Sequence, residues 1–589
     1  MRAAGPAGPA GLAGLALSRP RLRYLDWSLL VWLAAAAVLG FLVLVPLAYL
    51  ATTSLQQTDT GQLTLSNYVT AFSRQIYLEP ILNSLKLATS VAVIAVAVGT
   101  PLAWLVTRTD LPGRALIRGM VLGAFVTPSF LGAIAWIFLA APNSGWLNRG
   151  WETLTHSDQP LFDVFSLPGA IFVISLYSMP YAFSFVAGTL ELMSSELEDA
   201  ATTLGSSVWR TTIKITLPLA LPAIVAGFIM SFLEALALFG APAFLLIPAR
   251  QQVVTTQLYL FFQFPTRVEL AAAYAMPLLL VTVFLLWVQR RILGRRRFTT
   301  VTGKGGTRRA HRLGRWRWPA LAFALIPPAL SVVLPYTALL VTSLERAWGR
   351  GPFAQGNLGL YWYRWAIFDN PTTQAAIQHS LLYGAAAATI AVSLATLIAY
   401  VVVRRLVPGG QVLAFVTMAP FVVPGIVLAI GFFSAYTHPP LVLYGTGGIL
   451  IAAFATRFLP IAYSNAASIL QSINVDLENA ARTLGAGRLH ALLAVTAPLL
   501  RRGILSGWLL VFIPALRELS AAIFLFTPAT AVMTTVIFDF SDAGNYEAVS
   551  TMGILMMGLT FLIVLVSYRV LGRDVRWQRA GGSAVPPPA

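Results

Sequence analysis

The chain has 589 residues, 57% of them hydrophobic and only 11% charged, with a formal net charge of +18 and no cysteine. So few charges cannot coat a soluble body of this size, and the composition points to a membrane protein. It leaves no soluble domain through which the basic excess could bind nucleic acid, and the lack of cysteine excludes disulfides, thiolate metal sites and cysteine nucleophiles.

Residues 1–24, containing GPAGPAGLAG and no clean cleavage pattern, read as a cytoplasmic tail without fixed structure. A bilayer crossing takes about 20 apolar residues, and twelve runs qualify. The first six are Trp27–Leu50, Leu85–Val106, Ala115–Ala140, Leu167–Leu192, Leu219–Ile247 and Ala271–Leu293. The second six are Pro319–Val341, Leu381–Val403, Val412–Tyr436, Gly447–Leu470, Ile504–Phe526 and Thr551–Leu571. Strands of a membrane barrel would alternate in polarity and be half as long, so these runs are helices. The expected fold class is an all-α polytopic membrane protein with about 12 transmembrane helices. Arg19, Arg21 and Arg23, then Arg108, Arg114 and Arg118, the run from Arg290 to Arg317, and Arg569, Arg573, Arg576 and Arg579 all fall on one side. The positive-inside rule makes that side, with both termini, cytoplasmic.

The runs form two parallel six-helix repeats. Arg108, Pro112, Gly113 and Pro128 match Arg404, Pro408, Gly409 and Pro424, all 296 positions on. Pro180, Glu198, Gly205 and Pro218 match Pro460, Glu478, Gly485 and Pro498, all 280 on. The change of offset falls in an external loop, where length changes cost little. The first repeat covers 25–293 with a polar insert at 193–220, and a basic cytoplasmic linker follows at 294–317. The second repeat covers 318–572 with its insert at 472–502, and 573–589 is a second cytoplasmic tail.

Each insert reads as a short amphipathic helix. In the first, Ser195 and Glu198 fit a capping box, and Leu197, Ala200, Ala201 and Leu204 make one apolar stripe. Gly205 supplies the left-handed residue that ends the helix. In the second, Leu477, Ala480, Ala481 and Leu484 repeat the stripe, Glu478 takes the acidic position and Gly485 is the stop. A two-turn helix is marginal alone, so packing must hold it. Packing on its own span ends is one explanation; duplication on one face favours docking of a partner.

EDAATTLG (198–205) and ENAARTLG (478–485), each followed by a proline thirteen positions beyond the glycine, resemble the EAA loop of ABC importer permeases. In that family the loop forms coupling helices that insert into cytosolic ATPase subunits. The resemblance implies docking of two such subunits through Leu197, Glu198, Ala200, Ala201 and Gly205, and through Leu477, Glu478, Ala480, Ala481 and Gly485. ATP and Mg would be bound by those partners, and this chain would carry no cofactor and no catalytic residue of its own. It further implies an extracytoplasmic solute-binding protein as partner and a place in the bacterial plasma (inner) membrane. One departure is Ala497, where leucine usually precedes the proline. Within the family the fused pair most resembles ferric-ion transport permeases, on LFGAPAFLLIPAR (238–250) and ALRELSAAIFLFTP (515–528). Relatives commonly have glutamate where Leu238 stands; Glu518 keeps the acid in the second half. The expected function is passage of ferric iron from a binding protein to the cytoplasm. Thiamine, phosphonate or another small solute is the alternative, and a 6+6 ion-coupled secondary transporter is the rival from another class.

No G-x-x-x-x-G-K-[ST] sequence occurs, so ATP hydrolysis is expected on separate chains. His156, His311, His379, His438 and His490 lack ligand spacing, and no metal site is expected from them. Charges within spans are functional candidates by default: Arg457 in AFATRFLP, and Arg517 and Glu518 in PALRELSA. Glu518 either lines the pathway, paired with Arg457 when the gate is shut, or belongs to a structural ion pair at a helix break near Pro514. Phe239 and Gly240 with Pro242, and Ser520 beyond Pro514, mark breaks that serve either gating or packing. Asp539 and Asp542 read as solvated loop carboxylates, with a cation-attracting mouth as the other possibility.

Overall fold

The computed structural model describes residues 27–57, 60–157, 159–194, 196–294, 310–351, 354–407 and 409–581. Helices dominate, and among the described residues β-pairing is confined to three isolated bridges. Among the described residues, ten helices are long and apolar enough to span a membrane, and two bent pairs raise the number to twelve if each pair is one span.

In the first half these helices are α1 (Trp32–Ser54), α2 (Gln75–Arg108), the bent pair α3 (Arg114–Val126) and α4 (Ser129–Ala140), and α5 (Leu167–Leu192). The insert helix α6 (Glu196–Thr203) follows, then α7 (Val208–Ala237), the short α8 (Gly240–Leu246) and α9 (Val254–Phe262), and α10 (Val268–Ile292). The second half repeats the order. Its helices are α11 (Gly314–Leu344), α12 (Pro371–Val403), the bent pair α13 (Gly410–Phe421) and α14 (Gly425–Tyr436), and α15 (Gly447–Ser472). Then come the insert helix α16 (Val475–Thr483), α17 (Leu492–Leu516), α18 (Ala522–Leu525), α19 (Met533–Asp542) and α20 (Tyr546–Ser567).

Four of the expected straight spans are broken. Ala115–Ala140 bends by 101° and Val412–Tyr436 by 109°. The cause is Pro128 and Pro424: each has extended backbone and N-caps the second segment of its pair, and proline disfavours a helical residue before it. Leu219–Ile247 stops at Ala237 and resumes at Gly240, and Ile504–Phe526 stops at Leu516 and resumes at Ala522. The offset change between repeats is also explained, because the longer loop of the first half holds an extra helix, Trp146–Thr155.

Three helices make the centre of each half: α2, α5 and α7 in the first, α12, α15 and α17 in the second. Alanine and glycine let them approach closely; Ala88, Ala92 and Ala95 of α2 are fully buried, as are Ala387, Ala391 and Ala395 of α12. The opening helix of each half crosses to the other. α1 packs on α14 and α11 on α4, with a 2.6 Å hydrogen bond between the Thr127 and Tyr336 hydroxyls. Neither half is self-contained, and the bent pairs are gripped by the partner repeat.

Candidate functional site

The two insert helices sit in matching seats at the same end of the bundle. In the second seat Arg404, closing α12, lies 2.9 Å (Nη2) and 3.0 Å (Nε) from Oε1 of Glu478. Nη2 also donates to the carbonyl of Ile473, just before the insert helix, at 3.3 Å. Thr496 Oγ1 donates to Glu478 Oε1 at 2.8 Å and the Tyr400 hydroxyl to Oε2 at 3.2 Å. The first seat repeats the plan. Arg108 Nη1 lies 3.6 Å from Glu198 Oε2, Nη2 donates to the Met193 carbonyl at 2.9 Å, and Thr216 Oγ1 donates to Glu198 Oε1 at 2.7 Å. Thr216 and Thr496 each end a π-helical turn, Thr212–Thr216 and Leu492–Thr496. That wider turn opens the span helix beside the acid.

Burial alone would raise the Glu198 carboxyl; contact with His311, the hydrogen bond from Thr216 and the charge of Arg108 outweigh it and hold its pKa below the ordinary value. A buried charge is tolerable only when so paired. Each acid therefore ties an insert helix to the end of a span.

The Glu198 carboxylate, expected to reach back in a capping box, is instead engaged with Thr216 and Arg108. Ser195 lies outside the described residues, and the Glu198 carboxylate is turned inward, leaving the residue 2% exposed. In the second copy the N-cap is Asn474, whose side chain accepts from Asp476 N at 3.0 Å, and Glu478 is buried. The stripe faces out instead: Leu197 is 57% exposed, Leu204 88%, Leu477 48% and Leu484 90%. Ala200 and Ala480 are exposed beside them, and Ala201 and Ala481 half-buried. Gly205 and Gly485 have φ of 83° and 92° with open space around them, so the left-handed backbone alone calls for glycine.

The second locus lies where the two interrupted spans meet. Leu238 and Glu518 occupy equivalent breaks, since Thr255 Oγ1 donates to the Leu238 carbonyl at 2.8 Å and Thr534 Oγ1 to that of Glu518 at 3.0 Å. Arg457 Nε lies 2.9 Å from Glu518 Oε2, so the structure brings together the pair expected from sequence. Glu518 Oε1 also accepts the Ala521 amide at 3.0 Å, capping the turn before α18. Arg517 points elsewhere and donates to the Val126 carbonyl of the other half. Ser520 is half-buried and Pro242 buried in the first turn of α8, where proline is tolerated. A Cβ on Gly240 would sit 2.8 Å from Phe130 Cβ and 3.4 Å from Leu519, which records how closely the two breaks approach.

Phe239 is fully buried and packs on Tyr259, Phe524 and Phe538 at 5.4, 6.1 and 6.0 Å between ring centroids. Aromatic rings from both halves thus fill the junction. Sequence reasoning missed Glu234, one turn before Leu238, which accepts from Ser178 Oγ at 2.7 Å. It follows a phenylalanine and a leucine and precedes five more apolar residues, so an acid inside a run was the signal. Among the described residues, no group of three or more His, Asp or Glu side chains could hold a metal ion.

Two parallel repeats that exchange opening helices, with a seated helix at one end of each, define a duplicated membrane permease. The chain belongs to the family described as the binding-protein-dependent transport system inner membrane component, which it matches twice, over residues 95–298 and 391–577. Among its relatives is the ferric transport system permease protein FbpB of Actinobacillus pleuropneumoniae, 26% identical over 507 residues, covering 83% of this chain and 71% of the relative. A second, the Fe(3+)-transport system permease protein FbpB 2 of Haemophilus influenzae, is 22% identical over 538 residues, covering 89% and 96%. The molybdenum transport system permease protein ModB of Haemophilus influenzae is 30% identical over 225 residues, 36% of this chain and 94% of the relative. Of solved structures, that of a bacterial ABC transporter involved in alginate import aligns at 17% identity and a TM-score of 0.38, covering 47% of this chain and 97% of the other.

Proposed function

We propose that this chain is the translocating subunit of an ATP-driven importer. It receives a solute from an extracytoplasmic binding protein and is driven by two separate ATPase subunits, one on each insert helix. The observation that carries this reading is the pair of seats. Each presents a small, apolar, exposed helix face that is fixed from behind by a buried Arg–Glu–Thr cluster. A surface held that firmly can transmit a push from a docked motor to the span ends, whereas a frayed two-turn helix could not. Docking at one seat raises the effective concentration at the other, because both belong to one chain. The family's dependence on a binding protein supports the extracytoplasmic partner. The positive-inside rule supports placing both seats and both termini in the cytoplasm.

Ferric iron is the cargo we propose, since ferric transport permeases match over most of the chain while the molybdenum permease matches about one repeat. The charged groups at the junction, Glu234, Arg457, Arg517 and Glu518, then form the polar part of a path closed by the aromatic cluster around Phe239. Liposomes holding the permease with its ATPase and binding protein, supplied with labelled ferric iron or molybdate, test the reading. Uptake of iron that needs ATP supports it; uptake driven by an ion gradient without ATP contradicts it, and preference for molybdate overturns the cargo alone.

A further inference from the structure

The two seats share an arginine, an acid and a threonine, yet the third side chain on the acid differs. In the second seat it is Tyr400, one turn before Arg404 on the same helix. The equivalent of Tyr400 in the first half is Trp104. Its indole nitrogen is buried without a partner among the described residues and is a donor only. The missing contact is supplied by His311, whose Nε2 lies 3.7 Å from Glu198 Oε2. His311 comes from the end of the linker and precedes α11, the opening helix of the second half.

Its position is set by backbone pairing. His311 N donates to the Arg108 carbonyl at 2.9 Å, and Asp110 N donates to the His311 carbonyl at 3.0 Å, a parallel bridge between Thr109 and His311. Leu313 N then donates to Asp110 Oδ1 at 2.9 Å. The imidazole stacks on Trp104, with centroids 6.5 Å apart and planes at 22°. Four contacts from two elements thus hold one ring beside one carboxylate.

We infer that His311 is a positioning residue that completes the first docking seat from the other half of the chain, linking the stance of α6 to the position of α11. This rests on the docking reading above. The two seats are then unequal: the second is complete within its own repeat, whereas the first is completed only while the end of the linker is clipped to α2. A displacement of α11, which packs on α3 and α4 of the first half, would reach α6 through His311 but would not reach α16.

The chain contains no cysteine, so single reporters are unambiguous. Leu204→Cys and Leu484→Cys, on the two exposed faces, are cross-linked in membranes to the ATPase subunit with a reagent that is thiol-reactive at one end and photoreactive at the other. His311→Ala should lower the yield from Leu204→Cys several-fold and leave that from Leu484→Cys unchanged. Adding Trp104→Tyr, which gives the first seat the second seat's own donor, should restore the loss. If Trp104→Tyr lowers abundance, His311→Gln, which keeps a donor, must restore it instead. Equal yields with and without His311, a loss at both cysteines, or failure of every restoring variant overturns the inference. If neither cysteine of the otherwise unaltered chain cross-links, docking itself falls and the inference with it.

Discussion

Arg404 places both Nε and Nη2 on one oxygen of Glu478, at 3.0 and 2.9 Å, although 74 residues separate the two in sequence. The pair joins the end of α12 to the first turns of α16, and both side chains are less than a tenth exposed. Truncating one partner of a buried pair leaves an uncompensated charge and costs about 3–5 kcal/mol. That exceeds what a two-turn helix can bear. Arg404→Ala should therefore fray α16, raising amide hydrogen exchange across residues 475–484 by at least about ten-fold. Substrate-stimulated ATP hydrolysis should fall with it. Glu478→Gln, which keeps one acceptor oxygen for Thr496 and turns its amide NH2 towards the Tyr400 hydroxyl as a donor, should be milder on both measures.

The glycine stops give a second test with a different cause. A side chain in the left-handed region costs roughly 1–2 kcal/mol, more when β-branched, and nothing lies near either position to clash. Gly205→Val and Gly485→Val should each leave abundance near normal while uncoupling transport from ATP hydrolysis. Asparagine, which tolerates the conformation, should retain most coupling. Equal behaviour of valine and asparagine would show that the turn geometry is irrelevant.

At the junction, Gly425 leaves the room that Arg457 occupies, and a Cβ there would collide with the guanidinium. The colliding atoms end a flexible side chain, so Gly425→Ala should displace Arg457 and leave Glu518 without its cation. Glu518→Gln removes the charge while its amide oxygen still accepts from Ala521. If Glu518 serves the pathway, Glu518→Gln loses most uptake at normal abundance, and Gly425→Ala loses part of it. If the pair only braces the break, Gly425→Ala lowers abundance and Glu518→Gln transports normally. Quantitative blotting beside uptake separates the two outcomes.

A pH effect follows from Glu345, just beyond the end of α11 and 1% exposed. Neither carboxylate oxygen has a hydrogen-bond partner among the described residues. Burial and the neighbouring Glu547 raise its pKa to about 7, against the opposing charge of Arg149. An acid whose folded pKa is raised holds its proton in the folded state while the unfolded chain releases it, so stability falls as pH rises from the ordinary carboxyl range towards 7. Glu345→Gln should match the parent chain in thermal stability near pH 4 and exceed it above pH 7. Parallel melting curves across that range would contradict the assignment.

Periodicity and spacing made much of this architecture readable: the apolar runs, the duplication, both insert helices and the glycines that end them. What they could not convey was direction. The register of α6 and α16 places an apolar stripe on one face, but only the fold brings Arg108 and Arg404 behind the helix to draw Glu198 and Glu478 inward. Pro128 and Pro424 were visible as repeat landmarks, yet an unbroken apolar run hid that each turns the chain by about 100°. His311 seemed one of five scattered histidines because its partner lies more than a hundred residues earlier. Glu234 was obscured by the departure at Leu238, one turn away.

The central claim is that both seats face the compartment that holds the ATPase and that a second chain covers them. Labelling of Leu204→Cys and Leu484→Cys with a membrane-impermeant maleimide, in right-side-out and inverted vesicles, addresses it most directly. Modification of both cysteines only in inverted vesicles, with protection on addition of the ATPase subunit, is the predicted result. Labelling of either cysteine from the outer side, or no protection at either, would contradict the account.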